Sequence, residues 1–185
     1  VFLFEKMNKL GGQLNLSVVP PHKLDVKDEL DYLLRQVEKA NITVRLGEQV
    51  DRDLVHEINP DVLIDATGAI PLMPNIPGLN QKNVVTSWDV LAGIASLSGN
   101  IVIAGGGMVG CETAEFLAEK SLKVTIVEML PVITPEIPSI RPFILESFNK
   151  LGVKVFNNVR ITEVGPNFAI LKEKNGENRK IEMDS

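Results

Sequence analysis

Cysteine is nearly absent from this sequence, since Cys111 is the single one in 185 residues. One cysteine excludes an intrachain disulfide and excludes the cysteine pair that a dithiol redox site needs. A chain without disulfides fits a reducing compartment, and we therefore expect a cytoplasmic protein. The two histidines, His22 and His56, lie far apart and do not follow a metal-ligand spacing, so we predict no metal site.

Basic residues and long apolar runs are scarce as well. The 19 Lys and Arg residues against 24 Asp and Glu give a net charge of −5, which argues against a nucleic-acid-binding protein. No apolar run is long enough to cross a bilayer, and the first residues lack a signal-peptide pattern, so we expect no membrane association. The chain starts with Val1 inside a predicted strand rather than with Met, and we expect a piece of a longer protein.

What the sequence does contain is an alternation of strand and helix patterns, which predicts an α/β fold. The predicted helices are 26–40, with Asp25 as N-cap, 87–97, 108–120 and 139–151. The predicted strands are 1–5, 42–46, 61–66, 101–104, 124–128, 153–156 and 159–164, followed by a hairpin of 168–174 and 179–183 around Asn175-Gly176. A proline-rich stretch at 71–78 predicts a domain boundary near residue 72.

The middle of the chain has the pattern of a dinucleotide-binding unit. Gly105, Gly107 and Gly110 fit G-x-G-x-x-G between a predicted strand and a predicted helix, and Glu128 ends the next strand. These glycines permit a tight turn, close approach of a pyrophosphate and close packing of the helix on the strand. The helix N-terminus then attracts the phosphates, and the carboxylate about 20 residues on accepts ribose hydroxyls. The alternative is a glycine turn that binds nothing.

The residues after Glu128 predict which nicotinamide cofactor is bound. Binding of the NADP 2′-phosphate usually needs a basic residue nearby, and none follows Glu128 until Arg141. A carboxylate would also repel the additional phosphate. The sequence therefore predicts NAD(H) rather than NADP(H).

Several motifs together resemble one protein family. They are Glu5, GGQLNL (11–16), PPHK (20–23), ATGAIP (66–71), PNIPG (74–78), SWDVLAG (87–93) and GGGMVGCETAEFLAEK (105–120). They resemble the pyridine-nucleotide and flavin-dependent oxidoreductase fold. More narrowly, they are similar to the C-terminal FAD/NAD(P) region of the 2,4-dienoyl-CoA reductase, 2-enoate reductase and trimethylamine dehydrogenase family of NADH:flavin oxidoreductases.

The resemblance implies two Rossmann-like nucleotide-binding domains. Residues 1–72 would be part of an FAD-binding domain whose first glycine loop is missing. Residues 73–185 would be an inserted NAD-binding domain with a β-hairpin and without its last strand. Such a cut exposes strand edges and apolar faces, and we expect a homo-oligomer, which a monomer in light scattering would contradict.

The resemblance also implies roles for individual residues. The FAD-binding residues would be Glu5, Gln13, Lys23, Val50, Ala66, Thr67 and Gly68. The NAD-binding residues would be Gly105, Gly107, Met108, Val109, Gly110 and Glu128. Glu112 would either face the nicotinamide or be a solvated acid that complements the helix dipole. No side chain is assigned a catalytic role, because the hydride chemistry belongs to the cofactors.

The parent protein implied by the resemblance passes a hydride from NADH to flavin and reduces an enoate, an enoyl thioester or a similar organic substrate. Its larger relatives carry an N-terminal barrel domain with FMN and an iron–sulfur cluster, for which this sequence has no residues. One alternative is a pyridine nucleotide-disulfide oxidoreductase or NADH oxidase that uses a dithiol or a single cysteine. The other is a nucleotide-binding module without turnover, and we expect the isolated piece to be inactive.

Overall fold

The computed structural model describes residues 1–185, which form two compact units, Val1–Ile70 and Pro71–Ser185. The division lies at the start of the proline-rich stretch, where fixed backbone angles and missing N–H donors disfavour a packed element. No helix in either unit combines the length and the apolar character needed to span a membrane.

The first unit contains a parallel pair of strands and three helices. In chain order they are β1 (Phe2–Glu5), α1 (Leu14–Ser17), α2 (Leu24–Lys39), β2 (Thr43–Leu46) and α3 (Arg52–Ile58). The two strands pair in parallel from Phe2↔Thr43 to Glu5↔Leu46. A parallel pair needs a crossover connection, and α2 supplies it. Leu30 on α2 and Pro20 are the buried apolar residues of this unit.

Several predictions for the first unit are wrong. The apolar run 61–66 is not a strand, and its residues Val62, Leu63 and Ile64 are between 62% and 82% exposed. A strand needs a hydrogen-bonded neighbour, and the sheet of this unit consists of β1 and β2 alone. The run 61–66 is apolar enough for a strand, but no strand of this unit pairs with it.

Helix boundaries in the first unit also differ from those predicted. Asp25 is not the N-cap of α2, because the first helical hydrogen bond runs from Lys27 N–H to the Lys23 carbonyl, and Asp25 lies in the first turn. Helices α1 and α3 were not predicted. A signal for α3 existed, since the Asp51 side chain accepts a 2.9 Å hydrogen bond from Leu54 N–H, and Asn59 ends the helix with φ +47°.

The second unit begins with parallel strands and helices close to those predicted, except that the predicted helix 87–97 ends at Leu91. Its elements are α4 (Ser87–Leu91), β3 (Asn100–Ala104), α5 (Met108–Glu119), β4 (Lys123–Val127), α6 (Arg141–Leu151) and β5 (Lys154–Phe156). The three strands form a parallel sheet in the order β3-β4-β5. Parallel strands joined by helices are the arrangement of a Rossmann-like unit, as the sequence predicts.

A three-stranded antiparallel sheet follows in the same unit, consisting of β6 (Val159–Val164), β7 (Phe168–Glu173) and β8 (Asn178–Glu182). The predicted turn at Asn175-Gly176 joins β7 to β8, with Gly176 at φ +90°. The residues after β8 return to the parallel sheet, where Ser185 accepts a 2.8 Å hydrogen bond from Val102 N–H.

Two apolar clusters hold the second unit together. One is centred on α5 and β4 and contains Ala114, Leu117, Ile126 and Phe148, all less than 4% exposed. The other lies between the parallel and antiparallel sheets, and includes Val127, Leu171 and Met183. Because α5 is buried on β3 and β4, its first turn and the loop before it are held in a fixed place.

Candidate functional site

The loop between β3 and α5 has the geometry that its glycines predict. Gly105 follows β3 with φ +101°, a conformation that favours glycine. A Cβ at Gly110 would lie 2.1 Å from the carbonyl oxygen of Gly105, so the third glycine is required for the helix to pack against the loop. Gly107 is the N-cap of α5 and has ordinary extended backbone angles. Its requirement for glycine therefore does not come from its own backbone conformation.

Glu128 lies directly after β4 and is only 6% exposed. Its Oε2 accepts a 2.6 Å hydrogen bond from Gly106 N–H, and its Oε1 accepts a 2.6 Å hydrogen bond from Leu130 N–H. Charge-assisted bonds of this kind fix the orientation of a carboxylate. Each oxygen keeps a second lone pair, so the carboxylate can still accept from hydroxyl groups. The structure thus joins the predicted acid to the glycine loop, while its ribose contact stays a prediction.

An acid from a later segment, which sequence reasoning missed, contacts the first turn of α5. Glu136 Oε1 accepts a 2.7 Å hydrogen bond from Met108 N–H, at the N-terminus of the helix. The same oxygen lies 3.3 Å from the position that a Cβ would take at Gly107. Because Glu136 is 28 residues away in a segment without periodicity, no local pattern could have placed it here.

The segment that carries Glu136 is tied to the glycine loop. Thr134 N–H donates a 2.7 Å hydrogen bond to the Gly106 carbonyl, and Arg141 Nε donates to the Ile133 carbonyl at 2.7 Å. Ile133 and Thr134 are buried, whereas Glu136 is exposed. Thr134 has φ +43°, and its Oγ1 is a buried oxygen without a hydrogen-bond partner. The backbone is therefore anchored just before the exposed acid.

Cys111 lies one turn into α5 and is 1% exposed. Its Sγ lies 3.3 Å from the Gly106 carbonyl oxygen, to which the thiol donates. Burial, together with the carboxylates of Glu136, Glu112 and other nearby acids, raises the pKa of the Cys111 thiol to about 12. A thiol of this kind is not a thiolate nucleophile near neutral pH. This geometry disfavours the alternative in which a single cysteine is the redox centre.

We therefore expect Cys111 to resist alkylation. In the folded protein at pH 8, iodoacetamide should modify Cys111 at least about a hundredfold more slowly than in urea, because the thiol is buried and protonated. Mass spectrometry of samples quenched over time measures both rates. Similar rates in the two conditions would show that the thiol is accessible in the folded state.

A basic groove lies beside the residues that follow Glu128. It has a volume of about 450 Å³ and is lined on one side by Met129 and Pro131. Arg160 and Lys172 line it from the antiparallel sheet and Lys174 from the turn after β7, and the acid Glu173 lies among them. The search for basic residues along the sequence after Glu128 missed these cations, because they belong to β6, β7 and the turn after β7. The absence of nearby basic residues in the sequence therefore no longer supports the choice of NAD(H) over NADP(H).

In the first unit, the structure brings some predicted residues together. Gln13 Nε2 donates to the Ala69 carbonyl at 3.4 Å and lies 3.0 Å from a Cβ position at Gly68, which has φ +79°. Thr67 is held in a turn by Asp65, whose carboxylate accepts from Thr67 N–H at 3.1 Å and from its hydroxyl at 2.8 Å. These bonds lower the pKa of Asp65. Gln13 and the segment 66–69 thus form one local arrangement, in a segment without regular secondary structure rather than at the predicted strand end.

The other predicted residues of the first unit lie elsewhere. Glu5 ends β1, and its Oε1 accepts a 2.8 Å hydrogen bond from Met7 N–H, while its backbone carbonyl accepts from Glu48 N–H. Val50, two residues after Glu48, is 38% exposed. Lys23 is the N-cap of α2. The hydrogen bonds of Glu5 lie at the carboxyl ends of β1 and β2, and Gln13 and Gly68 are not among its partners.

Comparison with known proteins agrees with this geometry. The sequence pattern of the pyridine nucleotide-disulphide oxidoreductase family matches residues 7–185. This chain belongs to that family. The family covers nearly the whole sequence, including both units and the glycine loop, and it identifies the chain as an oxidoreductase domain. The predicted α/β class with Rossmann-like parallel sheets is confirmed.

Two individual relatives and one solved structure show which members of the family this chain is similar to. The chain is 39% identical over 168 residues to bilirubin reductase of Mediterraneibacter gnavus, covering 90% of this chain and 26% of that protein. It is 41% identical over 171 residues to NADH oxidase of Thermoanaerobacter brockii, again covering 90% and 26%. A solved structure of 2-naphthoyl-CoA reductase with 2-naphthoyl-CoA matches all of this chain and 28% of its own length, with 30% identity and a TM-score of 0.93.

These matches confirm the predicted resemblance to the FAD/NAD(P) region of the enoate reductase group. The chain spans only about a quarter of the length of these relatives. What the whole relatives do therefore does not transfer directly to this chain.

Proposed function

We propose that the second unit binds NADH at the glycine loop, as the nicotinamide-nucleotide domain of a flavin-dependent oxidoreductase. The observation that supports it most is the position of Glu128, whose buried carboxylate bonds the Gly106 N–H directly beside the start of α5. This contact supports a site in which the acid after β4 would bind the ribose and the adjacent N-terminus of α5 would bind the phosphates.

The residues present fit a dinucleotide. The pyrophosphate would lie against Gly107 and the N–H groups of Met108 and Val109, where the missing Cβ leaves room. Glu128 would accept the adenosine ribose hydroxyls with its remaining lone pairs. Glu112, which is half-buried one turn into the helix, would face the nicotinamide side. The bound nucleotide supplies the hydride, and this chain positions it.

We propose further that the first unit is part of an FAD-binding domain. Glu5 would bind the flavin-nucleotide ribose, and Gln13 and Lys23 would line the nucleotide together with the backbone of Val50. The segment 66–68 would lie next to the pyrophosphate and the flavin. The contact of Gln13 with Gly68 and Ala69 supports this, because it brings two of the proposed FAD-binding segments together. Residues 1–70 contain no G-x-G-x-x-G pattern, so we propose that the glycine loop of this domain is supplied by chain outside this sequence.

In the parent protein, an N-terminal barrel domain with FMN and an iron–sulfur cluster would receive the electrons and reduce an enoate, an enoyl thioester or a related substrate. The short span of this chain relative to 2-naphthoyl-CoA reductase supports that proposal.

The exposed apolar run 62–64 supports self-association of the isolated chain, since such a surface favours contacts with a second copy.

A nucleotide titration tests the proposal. Energy transfer from Trp88, the single tryptophan and part of the second unit, to bound NADH should saturate with NADH and be lost when NAD competes for the site. NADPH should bind more weakly, because the buried Glu128 carboxylate would repel its 2′-phosphate. FAD titrated in parallel should not be retained, because residues 1–70 lack a glycine loop. Because Trp88 is the single tryptophan, the signal has one donor position, and the site variant below tests where the nucleotide binds.

Gly107→Val is the matched site variant. The Cβ added at Gly107 meets only the flexible end of Glu136, at 3.3 Å, so we expect the fold to be retained, as measured by the thermal midpoint. It would nevertheless fill the space proposed for the pyrophosphate, and NADH affinity should fall at least about tenfold. Absence of NADH binding by the unaltered chain, or unchanged affinity in Gly107→Val, would refute the proposed site.

A further inference from the structure

The Glu136 carboxylate lies where the proposed nucleotide would place an anion. It accepts from Met108 N–H at 2.7 Å and lies 3.3 Å from the Cβ position of Gly107, the glycine that leaves room for a pyrophosphate. Gly107 has no side chain with which to cap α5, so Glu136 takes the place of the capping side chain. One carboxylate oxygen therefore both accepts from the N–H group proposed to bind the phosphate and lies in the space left by the missing Cβ of Gly107.

We propose that Glu136 is an internal competitor for the dinucleotide, an acid of this chain that occupies the pyrophosphate position and must leave it when NADH binds. This inference rests on the proposed NADH site. Two negative groups cannot share one N–H donor and one vacant Cβ volume, and the helix N-terminus attracts either of them. The affinity for NADH is then lower than the glycine loop alone would give.

The contacts around Glu136 allow its side chain to leave without unfolding the segment. The backbone before it is held by the hydrogen bond from Thr134 N–H to Gly106 and by the bonds from Arg141 to the carbonyls of Ile133 and Thr134. Glu136 itself is exposed. Rotation of its side chain into water breaks only the bond to Met108 and leaves the anchored backbone in place.

The competing interpretation is that Glu136 only caps α5 and remains there when a nucleotide binds. The two interpretations predict different changes in NADH affinity when Glu136 is replaced. Removing a competitor tightens NADH binding, whereas removing a cap that also supports the site weakens it or leaves it unchanged.

The experiment compares NADH dissociation constants, by energy transfer from Trp88, in the full chain and in Glu136→Gln and Glu136→Ala. Glu136→Gln removes the charge and keeps the shape, and Glu136→Ala removes both. The matched control is Glu163→Gln, which removes the same charge from an exposed position on β6. We expect both Glu136 variants to bind NADH roughly five- to tenfold more tightly than the unaltered chain, with no change in Glu163→Gln.

A second readout follows the contact itself. In the nucleotide-free chain the Met108 amide resonance should shift in Glu136→Gln, and saturating NADH should bring the Met108 amides of both proteins to the same position. If both Glu136 variants bind NADH as tightly as the unaltered chain or more weakly, the proposal that Glu136 competes with NADH is overturned. Failure of the unaltered chain and all variants to bind NADH overturns the proposed NADH site, and the competitor with it.

Discussion

Replacing Gly110 with alanine is expected to abolish NADH binding and to lower the free energy of unfolding by about 3 kcal/mol. The new Cβ would lie 2.1 Å from the Gly105 carbonyl oxygen and 3.1 Å from its carbonyl carbon. Both are backbone atoms of the turn between β3 and α5, so relief requires the helix to move away from the loop. That movement separates the helix N-terminus from Glu128, which is why affinity and stability should fall together.

Urea denaturation followed by circular dichroism measures the stability change, and the NADH titration measures the affinity change. Gly107→Ala is the matched control, because its Cβ would meet only the end of the Glu136 side chain at 3.3 Å. Gly107→Ala should unfold at the same urea concentration as the unaltered chain. If Gly110→Ala also kept its stability, the close packing of α5 on the loop would be contradicted.

Replacing Glu128 with glutamine is expected to lower NADH affinity at least about tenfold and to lower the free energy of unfolding by about 2 kcal/mol. The two carboxylate oxygens accept from two N–H groups, those of Gly106 and Leu130, each at 2.6 Å. A glutamine amide has one oxygen, so its NH₂ group would face one of these donors. In either orientation of the amide, one of the two N–H groups loses its acceptor, so either the Gly106 contact with the glycine loop or the Leu130 contact is lost.

Glu163→Gln is the control for the change in net charge, since Glu163 is exposed and its substitution should alter neither quantity. Urea denaturation and the Trp88 titration again provide the two measurements. A Glu128→Gln protein of unchanged stability that still binds NADH with the original affinity would show that the carboxylate is not part of the site.

Much of the second unit could be predicted from local sequence. The helices α5 and α6, the strands β3 and β4, and the Asn175-Gly176 turn follow from apolar periodicity and turn chemistry, which act over a few residues. In the first unit, local pattern was less reliable. The run 61–66 has the composition of a strand, yet a strand also needs a neighbour, and none pairs with it here.

The candidate site divides in the same way. Gly105, Gly107, Gly110 and Glu128 could be found from the sequence, because a strand, a loop, a helix and a second strand follow one another along the chain. The cofactor preference could not be judged in that way. Arg160 and Lys172 lie beside Met129 only because β6 and β7 pack near the end of β4.

The sequence by itself determined the α/β class, the family and the glycine loop, since these depend on spacing within about 30 residues of chain. Only the tertiary structure decided what surrounds that loop. It placed Glu136 on Met108 N–H, turned both oxygens of Glu128 toward backbone donors, and buried the Cys111 thiol. The physical reason is that these contacts join separate elements, and their geometry depends on how α5, β4 and the segment after Glu128 pack together.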